Sequence, residues 1–498
     1  MRVRRLTNRR EFLRLSALGA ASAAILAACA PAAPPTPTAA PKPAEAPKPA
    51  ATTAPAATAT AAPKPAEAAK PAAAGQKIQV SFFTTQTGAT DVQTYEKLAE
   101  TFNSRNPNIV VKVTSEAAGT NYDQKLLTWL AAGTLPDIVH TNDNYAAPFK
   151  KAKITRDMIP FAKATKFPYE DFEPTFLNLG MVDGELHMLP KQGDTITPYV
   201  NLRLAKEGGW EPPTKLDLTK EPDKWTWDEF ITTCRHLSVD ANGKRGDQAG
   251  FDKTNVNTFG ASIAADAWYT YVPMVIAEGG KFLSDDGTKT EINSPAGIQA
   301  FKNLTDPMKD GIWAPLTLIQ TMGNQAGNVF AAGKAAMSPL QRLWSPTFRS
   351  QLKDDFDVVH FPKGKVRRCT GMGTFGFALS AASKYPDEAW KYLEFMYSEE
   401  GMKIIASTYA SVPAMRRFYN ASFWRDLPGP PYNNAVFVDA FSYAVTPPRL
   451  PFYSTGPFRQ AVTDGIVGIT LGKTTPQEVV ANIEKALNDF LAEEQKKK

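Results

Sequence analysis

Six acids of this 498-residue chain, Asp143, Asp183, Glu185, Asp194, Asp266 and Asp285, have the most obvious capacity for chemistry. A hydrolase needs a nucleophile beside its base, or two carboxylates held across the bond to be cut. No Gly-x-Ser-x-Gly occurs, and no spacing sets any pair of these acids apart from the rest. The four histidines, His140, His187, His236 and His360, are widely separated, and neither His-Glu-x-x-His nor Cys-x-x-Cys is present, so no metal site is expected. Gly371-Met372-Gly373-Thr374 lacks the Gly-Lys-Ser/Thr of a phosphate loop, and no cofactor is expected. Its glycines allow close backbone approach, either to a ligand or to a neighbouring strand. An enzyme is therefore not expected, and a chemistry of binding remains. All nine tryptophans lie past residue 77, in a body also rich in Asp, Asn and Gln. Aromatic faces with such polar groups are what a ring with an apolar C–H face and a belt of hydroxyls requires.

The elements that must position these groups are legible between Tyr95 and Tyr145. Tyr95, Leu98, Ala99 and Phe102 recur at steps of three and four, predicting a helix over Asp91 to Asn103 with one buried stripe. Pro107 ends that register, and Ile109, Val110, Val111 and Val113 predict a strand. Tyr122, Leu126, Trp129 and Leu130 then share a helical face, Gly133 is placed past its C-terminus, and Ile138 and Val139 open another strand. Such alternation predicts a parallel sheet, with ligands beyond the carboxyl ends of its strands. Those ends supply Gln86 and Thr87 after the first strand and Asn142 and Asp143 after the third.

The order AETFNSRNPNIVVKV, YDQKLLTWLAAGTLPDIV, DGELHMLP resembles the extracellular solute-binding proteins of ABC importers, in the sugar-binding group related to maltose-binding protein. The resemblance covers nearly all of the chain past residue 77. It implies an α/β, two-lobed periplasmic-binding-protein fold of type II, each lobe a mainly parallel sheet flanked by helices and joined by hinge crossings. It places the first lobe at 77–196, the second at 197–360, a return to the first at 361–397 and a C-terminal helical part, mainly second lobe, at 398–498. The implied ligand is a mono- or oligosaccharide held between the lobes, with Trp268, Tyr269 and Trp344 where the family has stacking residues. Asp143 and Asp194 match sugar-binding acids of relatives, Gly371 and Met372 are placed with the ligand set, and Phe452 and Tyr453 are weaker candidates from the second lobe. Arg449 reads as a loop residue. The implied partners are two permease subunits and a separate ATPase pair, with the protein itself a monomer. A peptide, polyamine or other polar solute on the same fold is the alternative, followed by a surface glycoside hydrolase or an adhesion lipoprotein.

The N-terminal residues read as an address. Asn8-Arg9-Arg10-Glu11-Phe12-Leu13-Arg14 resembles a twin-arginine export signal, and the apolar stretch from Leu15 to Ala28 is short for a membrane span. LAAC, ending at Cys29, resembles a lipobox whose cysteine is acylated, implying attachment to a bilayer outside the cytoplasm. Residues 30 to 76 hold 12 of the 40 prolines and no aromatic residue, predicting an extended tether of at most roughly 150 Å at ~3.1 Å per residue. Leader and tether carry +5 and +2 of the formal +6, so the body is near −1 and offers no basic footprint for nucleic acid. Cys234 and Cys369 are expected to be free buried thiols. Thr226 with Glu229 and Thr475 with Glu478 are predicted capping boxes, the latter opening a helix whose buried face is Val479, Ile483, Leu487 and Phe490.

Overall fold

The computed structural model describes residues 77–498 except 87, 117–121, 265, 324, 353, 447–456 and 497–498, with the side chains of Ala89, Asp123, Trp268, Pro457 and Glu494 also outside the described set. The export signal, Cys29, the tether, Thr87, Arg449, Phe452 and Tyr453 therefore lie outside the described residues. No helix among the described residues is long and apolar enough to cross a membrane.

The predicted alternation is present. Strand Ile78–Thr84 leads into helix Ala89–Arg105, strand Ile109–Ser115, helix Tyr122–Ala131 and strand Ile138–Asn142. Tyr95, Leu98, Ala99 and Phe102 are buried as their spacing requires, and Gly133 takes a φ of +67° past the second helix. The first strand pairs in parallel with both others, Phe82 opposite Val113 and Ile138. Phe82, Tyr95 and Phe377 meet edge to face at 5.2 to 5.8 Å in the first core, each such pair contributing about 0.5–1.5 kcal/mol beyond its buried area.

Both sheets are mixed: the first has the expected parallel majority, three of its five pairings, and the second departs from it. Strand Thr370–Leu379 enters the first sheet from the second lobe and runs antiparallel to both Ile138–Asn142 and Leu189–Thr195. The second sheet, of strands Phe356–Val358, Thr197–Asn201, Ala335–Leu340, Val256–Ala261 and Val239–Asp240, holds one parallel pair. A chain that returns across the hinge arrives pointing against the strands already present, so the crossings set this antiparallel character. Between Leu189–Thr195 in the first sheet and Thr197–Asn201 in the second stands a single residue, Ile196. Residues 359–369 make the return, and after Ala444–Val445 pairs with Thr370 and Gly371 the chain crosses again to helices Pro457–Thr470 and Pro476–Gln495 in the second core. Met402, Ile405, Met415 and Phe418 of the C-terminal part belong to the first core, whereas Trp424, Val436 and Phe437 pack with Tyr199, Phe330 and Phe348.

Both capping boxes form. Thr226 Oγ1 accepts from Glu229 N–H at 3.2 Å and Glu229 accepts from Thr226 N–H at 2.7 Å, starting helix Trp227–Leu237, whose Phe230, Cys234 and Leu237 are buried. Thr475 and Glu478 do the same for the last helix. Thr226→Ala should lower unfolding free energy by about 1 kcal/mol, read as a lower urea midpoint at unchanged slope. Cys234 and Cys369 are free and buried, and burial raises both thiols, Cys369 to about 12.

Candidate functional site

The first wall of the site follows from strand register. Gly373 stands opposite Asp194, and Phe375 opposite both Gln192 and Asn142. Opposed residues in antiparallel strands project to the same side, so Asn142, Gln192 and Asp194 share the face of Gly373. A Cβ added at Gly373 would lie 2.8 Å from Tyr269 Oη and 3.0 Å from Asp143 Oδ2. Asp143 of the first lobe and the phenol of the second therefore converge over a residue with no side chain, with Asp194 paired opposite it.

Burial tunes these groups. Asp194 is 1% exposed; its Oδ2 accepts from Gln192 Nε2 at 2.9 Å, while Oδ1 has no hydrogen-bond partner among the described residues. Desolvation pushes its pKa up to about 6, against the opposing pull of the Gln192 hydrogen bond and the Lys191 charge. Lys191 is the extra residue of a bulge opposite Phe375 and Gly376, which turns its ammonium toward Gln86 Oε1 at 2.9 Å and the Tyr95 hydroxyl at 3.0 Å. Burial pulls that ammonium down to about 8. His140, stacked on Phe375 at 5.6 Å, is pulled to about 3 by burial and is neutral at physiological pH. Burial, with the Asp143 charge second, raises the Tyr269 phenol well above its ordinary value, so it stays an O–H donor.

The second wall starts from a single π-helical turn, Ala267–Tyr271, a distortion that often marks functional positions. Tyr269 N–H donates to Asp266 Oδ1 at 2.8 Å, and Asp266 Oδ2 pairs with Arg459 at 2.6 Å. Arg459 is more than half exposed, so the pair orients the turn more than it stabilises the fold. Trp344 is half-buried, stacked on Phe348 at 5.6 Å and 21°, and a Cβ at Gly327 would come within 2.5 Å of its ring. Glycine there lets the indole settle on helix Ala326–Ala331. Between these groups lies a cavity of about 410 Å³, lined by Ile196 of the crossing with Tyr269, Gln320, Gln341, Trp344 and Arg459 among others. Cavities of about 560 and 660 Å³ also open on the second lobe, but neither includes Tyr269 or Trp344.

Of the residues chosen from sequence, Asp143 and Tyr269 come together over Gly373, Asp194 pairs opposite that glycine, Trp344 joins Tyr269 at the cavity, and Gln86 is engaged by Lys191 and Tyr95. Asn142 accepts from Asn144 N–H at 2.9 Å, closing its own turn. Met372 is 2% exposed within the first core, and Gly371 pairs with Val445 while its carbonyl accepts from Ile196 N–H; like Gln86, Asn142, Asp143 and Asp194, neither lines the cavity itself. Trp268 lies on the π turn with its side chain outside the described set. Sequence reasoning missed Gln192, Gly373 and Arg459 and found nothing distinctive in Asp266. The signal available was parity: Gln192 lies two residues from Asp194 on the same strand face.

A family model for bacterial extracellular solute-binding proteins matches residues 97–430. A binding protein of Brucella abortus is 24% identical over 333 residues, 65% of this chain and 72% of that protein. The multiple sugar-binding protein of Streptococcus mutans is 23% identical over 323 residues, 62% of this chain and 69% of the other. Among solved structures, an ABC substrate-binding protein of Listeria monocytogenes in complex with cycloalternan aligns over 84% of this chain and 100% of its own, with TM-score 0.70 and 21% identity. Maltose-bound MalE3 of T. maritima aligns over 83% and 100%, with TM-score 0.66 and 19% identity. These two likenesses establish the fold: α/β, two-domained, with mixed sheets and flanking helices. With the family model spanning well over half of its length, this chain belongs to the bacterial extracellular solute-binding proteins.

Proposed function

We propose that this protein captures a mono- or oligosaccharide between its lobes and delivers it to an ABC importer, held at the outer face of a membrane by acylated Cys29. The observation that carries the reading is the approach of Asp143 from one lobe and Tyr269 from the other over Gly373, with Asp194 opposite that glycine on the neighbouring strand and a cavity bordered by Tyr269 and Trp344. Ionised carboxylates take the hydroxyls of a sugar, and the indole takes its C–H face. A ligand that touches both walls favours the closed arrangement by its differential affinity, and the closed form is what the permease subunits recognise. The sugar named for the Streptococcus relative and the saccharides in the Listeria and T. maritima structures agree with this ligand class. The anchor rests on the LAAC sequence, and the monomeric state and separate ATPase on the family resemblance.

The test is thermal unfolding of the full chain against sugars, polyols, amino acids and peptides, since a ligand held by the folded state raises the melting temperature. A rise with one sugar family is expected. Trp344→Ala should shrink that rise and weaken affinity by about tenfold, from loss of a stacking face worth ~1.4 kcal/mol. A rise with a charged non-sugar alone, or with nothing, overturns the sugar reading.

A further inference from the structure

Four hydrogen-bonded groups run from the turn after strand Ala335–Leu340 to Asp194 without entering the cavity. Arg342 directly follows Gln341 of the cavity wall, is fully buried, and has no ion-pair partner among the described residues. Its guanidinium is held by Asn434 Oδ1 at 2.9 and 3.3 Å and by the faces of Trp424 and Phe437 at 5.6 and 5.7 Å. From there Nη1 donates to the Ser411 carbonyl at 2.5 Å. The Ser411 hydroxyl donates to Gln192 Oε1 at 2.7 Å, and Gln192 Nε2 donates to Asp194 Oδ2 at 2.9 Å. The members come from segments far apart in sequence, and Ser411, Arg342 and Gln192 are all buried.

The chemistry of this chain is directional. A glutamine amide has nearly the same shape after a half-turn about its last torsion, so packing alone does not decide which end faces Asp194. The ionised carboxylate only accepts, so Asp194 takes the NH2 end, and the Ser411 hydroxyl, able to donate or accept, donates to the carbonyl oxygen left over and holds that end of the amide in place. With the amide reversed, Gln192 Oε1 would face Asp194 Oδ2, two acceptors in a buried site, and the carboxylate would lose its donor. A guanidinium buried without an acid is costly, and here it fixes the carbonyl of the residue whose hydroxyl holds the amide.

We propose that Ser411 and Arg342 are positioning residues, which hold the Gln192 amide so that its NH2 group reaches Asp194 Oδ2. The inference rests on the reading that Asp194 contacts the ligand. It is testable without any ligand. The unfolding free energy of the full chain, measured in urea from pH 4.5 to 8, is compared for the parent protein, Asp194→Asn, Ser411→Ala and Ser411→Thr. The difference between parent and Asp194→Asn reports the titration of Asp194, with its inflection near pH 6. Ser411→Ala, combined with and without Asp194→Asn, should move that inflection upward by about one pH unit, a roughly tenfold weaker acid. Ser411→Thr, which keeps the hydroxyl, should restore it. A merely structural role for Ser411 lowers stability at every pH and leaves the inflection in place, and that result overturns the proposal. The underlying reading fails separately, if Asp194→Asn leaves the binding of every sugar unchanged.

Discussion

Asp194→Asn should make the unliganded protein more stable and its sugar binding weaker. The folded pKa of about 6 lies above the ordinary 3.8 because burial penalises the charged form. Folding therefore favours the proton. The stability linked to this group is fully present below pH 3.8 and is lost as pH rises through about 6. Some two units at ~1.36 kcal/mol each leave the ionised protein about 2–3 kcal/mol less stable than one in which this carboxyl carries no such penalty. Asparagine still presents a carbonyl to Gln192 Nε2 and carries no charge. Its unfolding free energy at pH 7.5 should exceed the parent's by about 2 kcal/mol, with the gap closing toward pH 4. Binding moves the other way: a hydroxyl donated to a carboxylate contributes about 1.5–3 kcal/mol, so affinity should fall by about 10- to 100-fold. For the parent, acid weakens binding, because protonation below pH 6 removes the same acceptor. Calorimetric titration at pH 7.5 and 5 checks both statements.

Gly373→Ala should weaken binding by holding the walls apart. The added methyl would sit 2.8 Å from Tyr269 Oη and 3.0 Å from Asp143 Oδ2, inside ordinary contact distance of both. Asp143 is the far end of a side chain of the same lobe and can yield locally. Tyr269 belongs to the π turn of the other lobe, so relieving that contact moves the lobes. Overpacking of this kind costs about 1–3 kcal/mol, and it falls on the arrangement in which Tyr269 and Gly373 meet. Affinity should drop by about 5- to 100-fold, read by calorimetric titration. An unchanged affinity would mean that Tyr269 and Gly373 do not meet in the bound state.

How much of this was legible in the sequence depended on the distance over which each feature is set. The opening parallel unit was readable because its signals are local: helical steps from Tyr95 to Phe102, a β-branched run after Pro107, and a glycine at the left-handed position 133. Asp143 and Asp194 were picked out by their positions, one just past the strand Ile138–Asn142 and the other beside the crossing at Ile196. The partner of Asp194 was not. Which glycine meets the opposite lobe is set by pairing Gly373 with Asp194, strands separated by most of a lobe, so Gly371 and Met372 were chosen in its place. Met372 falls on the opposite parity and into the core, whereas Gly371 reaches the sheet edge beside Val445. The mixed sheets have the same origin, since a strand's direction after a hinge crossing is a property of the fold and not of its own residues. Arg342 drew no reading from the sequence, since its acceptors at Ser411 and Asn434 carry no local pattern that points back to it.

The account turns on one ligand touching both lobes at once. The direct measurement is a calorimetric double-mutant cycle on the full chain with the sugar that raises the melting temperature most, using Asp194→Asn on one wall and Trp344→Ala on the other. The account predicts one site per chain, with each substitution weakening binding and the pair abolishing it. Binding that survives both substitutions at full strength would place the ligand elsewhere and contradict the account.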